Sequence, residues 1–165
     1  VGDKSEVKKM PAKPRRAAAQ RKRGEVAEIG IRNETRFETK TIDVVIETLI
    51  DYRGKTPKKT SSGVKLITAK VIKDGFILDS EHEYIAEEDY DSWMRRGLPQ
   101  QWDILITTEA PLGEVAQLRT TERVALAQRV ILLRGNPKVI DQGYLFQALK
   151  SPYVQAGLRA RATGT

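Results

Sequence analysis

VKLITAKVIKDGFILD, residues 64–79, is the stretch on which the fold reading turns. Val64 to Ile72 is rich in apolar and β-branched residues and reads as a buried strand. Lys73-Asp74-Gly75 follows as a tight turn, with Gly75 supplying the positive φ that a β-branched residue resists. Phe76 to Asp79 is then a short returning strand. A hairpin here places a sheet in the middle of the chain.

Working outward, Ile42, Val45, Ile46, Leu49 and Ile50 recur at helical spacing, although their β-branching argues for a strand. Residues 25–40 hold at most a short strand. After the hairpin, AEEDYDSWMRRG (86–97) carries acids in its first turn, Arg95 and Arg96 in its last, and Gly97 at the cap. That is the charge order of a helix, and Pro99 stops it. WDILITTEA (102–110) reads as a second strand, PLGEVAQL (111–118) as a turn into a third, and VALAQRVILLRG (124–135) as a fourth. IDQGYLFQALKSPYVQAGLRARA (140–162) is helical with a break at Pro152. The expected class is α/β (α+β): a mixed, twisted sheet with flanking helices and long loops.

The net charge of +7 is unevenly placed. Residues 1–24 hold nine Lys/Arg against two acids, and the other 141 residues hold twenty of each. The segment 1–24 therefore reads as a basic, disordered tail, and 25–165 as a single domain. The tail is either a polyanion-binding arm or a solvated extension, native or left by expression. No Cys is present, which removes any disulfide framework and fits a cytoplasmic location. No apolar run approaches the length of a membrane span.

His82 is the only histidine, so a His-dependent triad or a multi-His metal site cannot be built within this chain. The Glu-x-Lys triplets, Glu6/Lys8 and Glu38/Lys40, lie outside the strands that would carry a nuclease's acids. There is no phosphate-binding loop of the GxxxxGK[ST] type, and Gly24 to Gly30 has the wrong spacing for a dinucleotide fingerprint. A binding module is the expected class, with no metal and no cofactor bound by the chain itself.

DYRGKTPKKTSSG, 51–63, is the leading candidate for contact. Arg53, Lys55, Lys58 and Lys59 supply cations, Pro57 restricts the backbone, and Thr56, Thr60, Ser61 and Ser62 supply short donors. That mixture suits phosphate oxygens, or in the case of Arg53 a guanine edge. An ordinary solvated loop has the same composition. Lys70 and Lys73 flank the hairpin turn and could line the same groove. Glu109, where the 102–110 strand meets its turn, either accepts from cytosine N4 or satisfies loop amides. Gln128 reads adenine, or else Gln128 and Arg129 brace neighbouring loops.

The series RGKTP (53–57), ITAK (67–70), TTEAPLG (107–113), QR.ILLR (128–134), LKSP (149–152) and ATGT (162–165) resembles a target recognition domain of the specificity subunit of type I restriction–modification systems. The resemblance runs from Asp43 to Thr165. It implies sequence-specific binding of double-stranded DNA, with each domain reading one half of a split target. It implies no catalytic residues here. Methyl transfer from S-adenosylmethionine, and ATP- and Mg-dependent translocation and cleavage, would belong to partner methyltransferase and restriction subunits. Family members continue past ATGT into a strand and a long helix, so the resemblance implies a domain cut short: a fragment, a truncated product or a half-subunit. It makes Thr107, Thr108, Pro111, Leu112 and Gly113 scaffold beside the site. Two other readings stand beside it. One is the recognition domain of a fused methyltransferase–nuclease. The other is a non-specific nucleic-acid binder led by the basic tail.

Overall fold

The computed structural model describes residues 38–52, 56–79 and 82–162. The chain divides into two units, Val1–Glu38 and Thr39–Thr165, and all but one of the described residues belong to the second. The basic tail, and residues 25–37 of the short strand expected in 25–40, lie outside the described residues.

The second unit is α+β, as the alternation of strand and helix signals predicts. Its elements are α1 (Ile42–Val45), β1 (Ile46–Asp51), β2 (Lys59–Thr60), β3 (Val64–Ile67), β4 (Ile72–Lys73), β5 (Phe76–Ile77), β6 (Glu83–Ile85), α2 (Tyr90–Trp93), β7 (Ile104–Thr107), β8 (Val115–Gln117), β9 (Val124–Leu126), β10 (Val130–Gly135), α3 (Gln142–Lys150) and α4 (Pro152–Arg161). The strands form two four-stranded sheets and a separate ribbon. The first sheet, β1-β10-β7-β8, is antiparallel throughout. The second, β2-β6-β3-β9, is mixed, with β3 and β9 parallel. β4 and β5 make the ribbon.

At its inner strands, β7 and β10, the first sheet is buried on both faces. Successive side chains of a strand point to opposite sides, and β7 uses both. Leu105 enters one core with Leu66, Ile67 and Leu126 from the second sheet. Ile104 and Ile106 enter the other, with Leu145, Phe146 and Leu149 of α3. β10 divides in the same way, Val130 and Leu132 to the first core and Leu133 to the second. This explains why both segments read as continuous apolar runs rather than alternating ones.

Four expectations are corrected. The helical stripe at 42–50 yields only one turn, α1, before the chain pairs as β1 with β10. β-branching outweighs the spacing, and Ile42 and Val44 stay exposed. The strand expected from Val64 to Ile72 is interrupted by a 3-10 turn at Ala69–Val71. That bend lets Ile67 join the second sheet and Ile72 the ribbon. The helix at 86–97 is a 3-10 turn, Glu87–Asp89, followed by the single α-helical turn of α2. Its position is fixed by tertiary hydrogen bonds: Trp93 Nε1 donates to Leu126 O (3.0 Å) and Tyr90 OH to Val124 O (3.4 Å). The fourth strand is two, β9 and β10, in different sheets.

The hairpin turn forms as read. Asp74 (φ 54°) and Gly75 (φ 97°) are both left-handed, the conformation of a two-residue type I′ turn. The break at Pro152 also holds. Ser151 is extended, as a residue before proline tends to be, and its Oγ accepts from Val154 N (3.3 Å) to cap α4.

Candidate nucleic-acid interface

The loop after β1 begins at a firm anchor. Tyr52 is buried, and its ring stacks on Trp93 at 5.5 Å between centroids. Its hydroxyl donates to Gly97 O (3.3 Å) and accepts from Arg96 N (3.0 Å). Burial pushes its pKa up. The Arg96 guanidinium donates to Asp51 O and lies 5.6 Å over the same ring.

Arg53 and Lys55, with Gly54 between them, lie outside the described residues. Thr56 Oγ1 donates to Gln128 Oε1 (2.6 Å). Lys58 is exposed. Lys59 Nζ stands 2.6 Å from the buried Glu83 Oε2, an ion pair by distance although its angle is not that of a hydrogen bond. Thr60 Oγ1 donates to Ser62 O (2.8 Å) and so closes the loop on itself.

The second loop leaves β7 at Thr107, which is almost fully buried. Thr107 Oγ1 donates to Pro111 O and accepts from Glu114 N (3.0 Å). Gly113 N returns to Thr107 O (2.9 Å), and the Ala110–Pro111 peptide is cis. Gly113 has φ 83°, and a Cβ there would come within 2.8 Å of Gln155 Oε1. Gln155 needs that space, because its Nε2 donates to Gly113 O (2.9 Å) and Leu149 O (2.8 Å), tying the loop to α3 and α4. The backbone from Thr107 to Glu114 is thus held from within and from the helices.

Glu109 stands at the exposed tip of this loop. Its Oε1 lies 2.8 Å from Arg129 Nε, with both side chains about half exposed. Thr108 N donates to Arg129 O (3.1 Å). The turn between β9 and β10 therefore presents Gln128 to the first loop and Arg129 to the second. Of the two readings of Gln128 and Arg129, bracing of neighbouring loops is what the geometry displays. An exposed pair of this kind stabilises by about 0–1 kcal/mol, so an incoming phosphate or base edge can compete for it.

Lys70, in the 3-10 turn, and Lys73, on β4, are exposed. The β4–β5 hairpin is joined to the end of the 107–114 loop by Asp74 N, which donates to Glu114 Oε2 (3.0 Å). Among the described residues, Lys58, Lys70 and Lys73 have no carboxylate partner within salt-bridge distance. The structure thus brings Thr56 and Glu109 to one turn, leaves Lys58 in solvent, turns Lys59 toward Glu83, and sets Lys73 on the ribbon and Lys70 in the 3-10 turn before it. Arg129 was legible only as a polar interruption, Gln128-Arg129, between two apolar runs.

His82 pairs with Asp79 (2.9 Å), whose carboxyl pKa is lowered mainly by its hydrogen bond from Lys65. Among the described residues no three His, Cys, Asp or Glu side chains gather as a metal site, and no helix is long and apolar enough to cross a membrane.

No family model and no curated protein matches the sequence. Among solved structures, the chain is similar to the HsdS subunit of Thermoanaerobacter tengcongensis at 16% identity and a TM-score of 0.48. The match covers 75% of this chain and 29% of that one. The likeness is loose, and the fold described above stands on this chain's own strands and cores.

Proposed function

We propose that the chain is a non-catalytic DNA target recognition domain of the type I restriction–modification specificity kind. In this reading Arg53, Lys55, Lys58, Lys59, Lys70 and Lys73 hold phosphates, and Thr56, Thr60 and Glu109 orient the loops or meet base edges. Partner methyltransferase and restriction subunits, in the cytoplasm, would supply S-adenosylmethionine, ATP and Mg chemistry. The observation that carries the reading is the meeting of Thr56, from the loop after β1, and Glu109, from the 107–114 loop, on Gln128 and Arg129. Loops that leave β1 and β7, the two strands flanking β10, and converge on one exposed, rigidly backed cluster have the geometry of direct readout. The motif resemblance supplies the kind of target.

The test is selection from random duplex DNA at about 150 mM salt, where non-specific phosphate binding is weakened. The full chain and the chain lacking residues 1–24 are run in parallel. Both are expected to enrich the same motif of a few base pairs. Binding that ignores sequence and disappears with the tail would assign the activity to the tail instead.

A further inference from the structure

The β4–β5 ribbon is built with its large aromatic outside. Lys73 and Phe76 are directly opposed in its register, as are Ile72 and Ile77. Opposed residues of an antiparallel pair project from the same face. One face therefore carries Ile72, 1% exposed in the core, and the other carries Lys73 and Phe76, the latter 53% exposed. The Arg119 guanidinium lies 5.1 Å over the Phe76 ring. Neither Lys73 nor Arg119, nor Lys70 nearby, has a carboxylate partner among the described residues.

The ribbon is also firmly mounted. Gly75 bridges to Ala116 of β8, Asp74 N is held by Glu114, and Leu78 N donates to Val71 O (2.7 Å). A Cβ on Gly75 would come within 2.7 Å of Lys150 Nζ, so α3 closes directly on the turn. The acids nearby are Asp74 at the turn, Glu114 bonded to its amide, Glu122 in the groove beside Arg119, and Asp79, which is taken up by Lys65 and His82.

We propose that this outer face, Lys70, Lys73, Phe76 and Arg119, is a second DNA-contact surface on which Phe76 stacks on or wedges against a loosened base step while the cations hold the flanking phosphates. The inference rests on the DNA-binding reading above and adds a site to it. A flat ring beside unpaired cations on a stiff ribbon matches the two parts of a nucleotide, base and phosphate. An acidic peptide would use the cations but gives the ring no planar partner. The ribbon is joined to the 107–114 loop of the first cluster through the Asp74–Glu114 bond.

The test uses the full chain and a labelled duplex of about 24 base pairs, read by anisotropy across a salt series. A second duplex carries a mismatch to loosen one step, and poly-glutamate serves as a polyanion without bases. Thermal melts check that each variant folds. Phe76→Ala is expected to weaken duplex binding about tenfold with the salt slope unchanged, since stacking releases no counterions. Phe76→Trp should restore it, and the wild-type preference for the mismatched duplex should vanish in Phe76→Ala. Lys73→Ala with Arg119→Ala should reduce the salt slope by about 2. If the wild-type chain binds duplex and these variants match it, the ribbon surface is overturned while the DNA reading stands. If the wild type binds no duplex, both fall. If poly-glutamate binds with the same dependence on Phe76, the partner is not DNA.

Discussion

Two arginine–carboxylate pairs sit at opposite ends of the β7–β10 strand pair, and they behave as different devices. At one end Arg134 grips Asp103 with two bonds of 2.7 Å, the carboxylate only 2% exposed. Asp103 also accepts from Gln100 N (2.7 Å), and Arg134 donates to Leu98 O (3.4 Å). The bond to Asp103 holds the guanidinium pKa above its ordinary value. At the other end Arg129 meets Glu109 through one contact in open solvent. The same chemistry is locked where it is dry and exchangeable where it is wet. A charge that is to meet a ligand must remain affordable to unpair, and only the Glu109 end meets that condition.

The sharpest way to break the comparison is Asp103→Ala. It leaves Arg134 partly buried and uncompensated, and should cost about 3 kcal/mol in chemical denaturation. A cost near zero would mean that the two ends do not differ. Next comes Gln155→Ala, which strips a donor from Gly113 O and Leu149 O. It should cost about 1–2 kcal/mol, with faster hydrogen exchange confined to the 108–114 amides. Unchanged exchange there would show that Thr107 alone holds the loop. The smallest effect on stability is expected for Glu109→Gln, below about 1 kcal/mol. Its signature should instead appear in binding: an Arg129 freed of its partner should steepen the salt dependence of DNA affinity by about one phosphate contact. No change in that slope would place Arg129 outside the interface.

The sequence made some of this visible and hid the rest for identifiable reasons. The Asp74–Gly75 turn and the Ser151–Pro152 break are local. Each follows from dihedral preferences that one or two residues express by themselves. The assignment of β9 and β10 to different sheets is not local. Both are apolar runs, and only Gln128 and Arg129 between them mark the change. At 42–50 a helical spacing and β-branching made opposite predictions, and edge pairing with β10 decided it. The partners of the candidate site were equally hidden. Glu109 lies twenty positions from Arg129, and Thr56 lies seventy-two from Gln128. No periodicity links residues at such separations. Phe76 was legible only as part of a short return strand, and its exposure follows from the register opposite Lys73.

The turn between β9 and β10 is three residues long, Ala127 to Arg129. Its first amide is bonded to Ile67 O in the second sheet (2.9 Å), and Val130 N closes on Ala127 O (3.2 Å). A strap that short has no slack, since each residue spans at most about 3.6 Å even when extended. The two sheets are therefore tethered at the base of the candidate site, like covers sewn to one spine. Any fit to a ligand has to come from the pages, the exposed residues of 56–58 and 108–110.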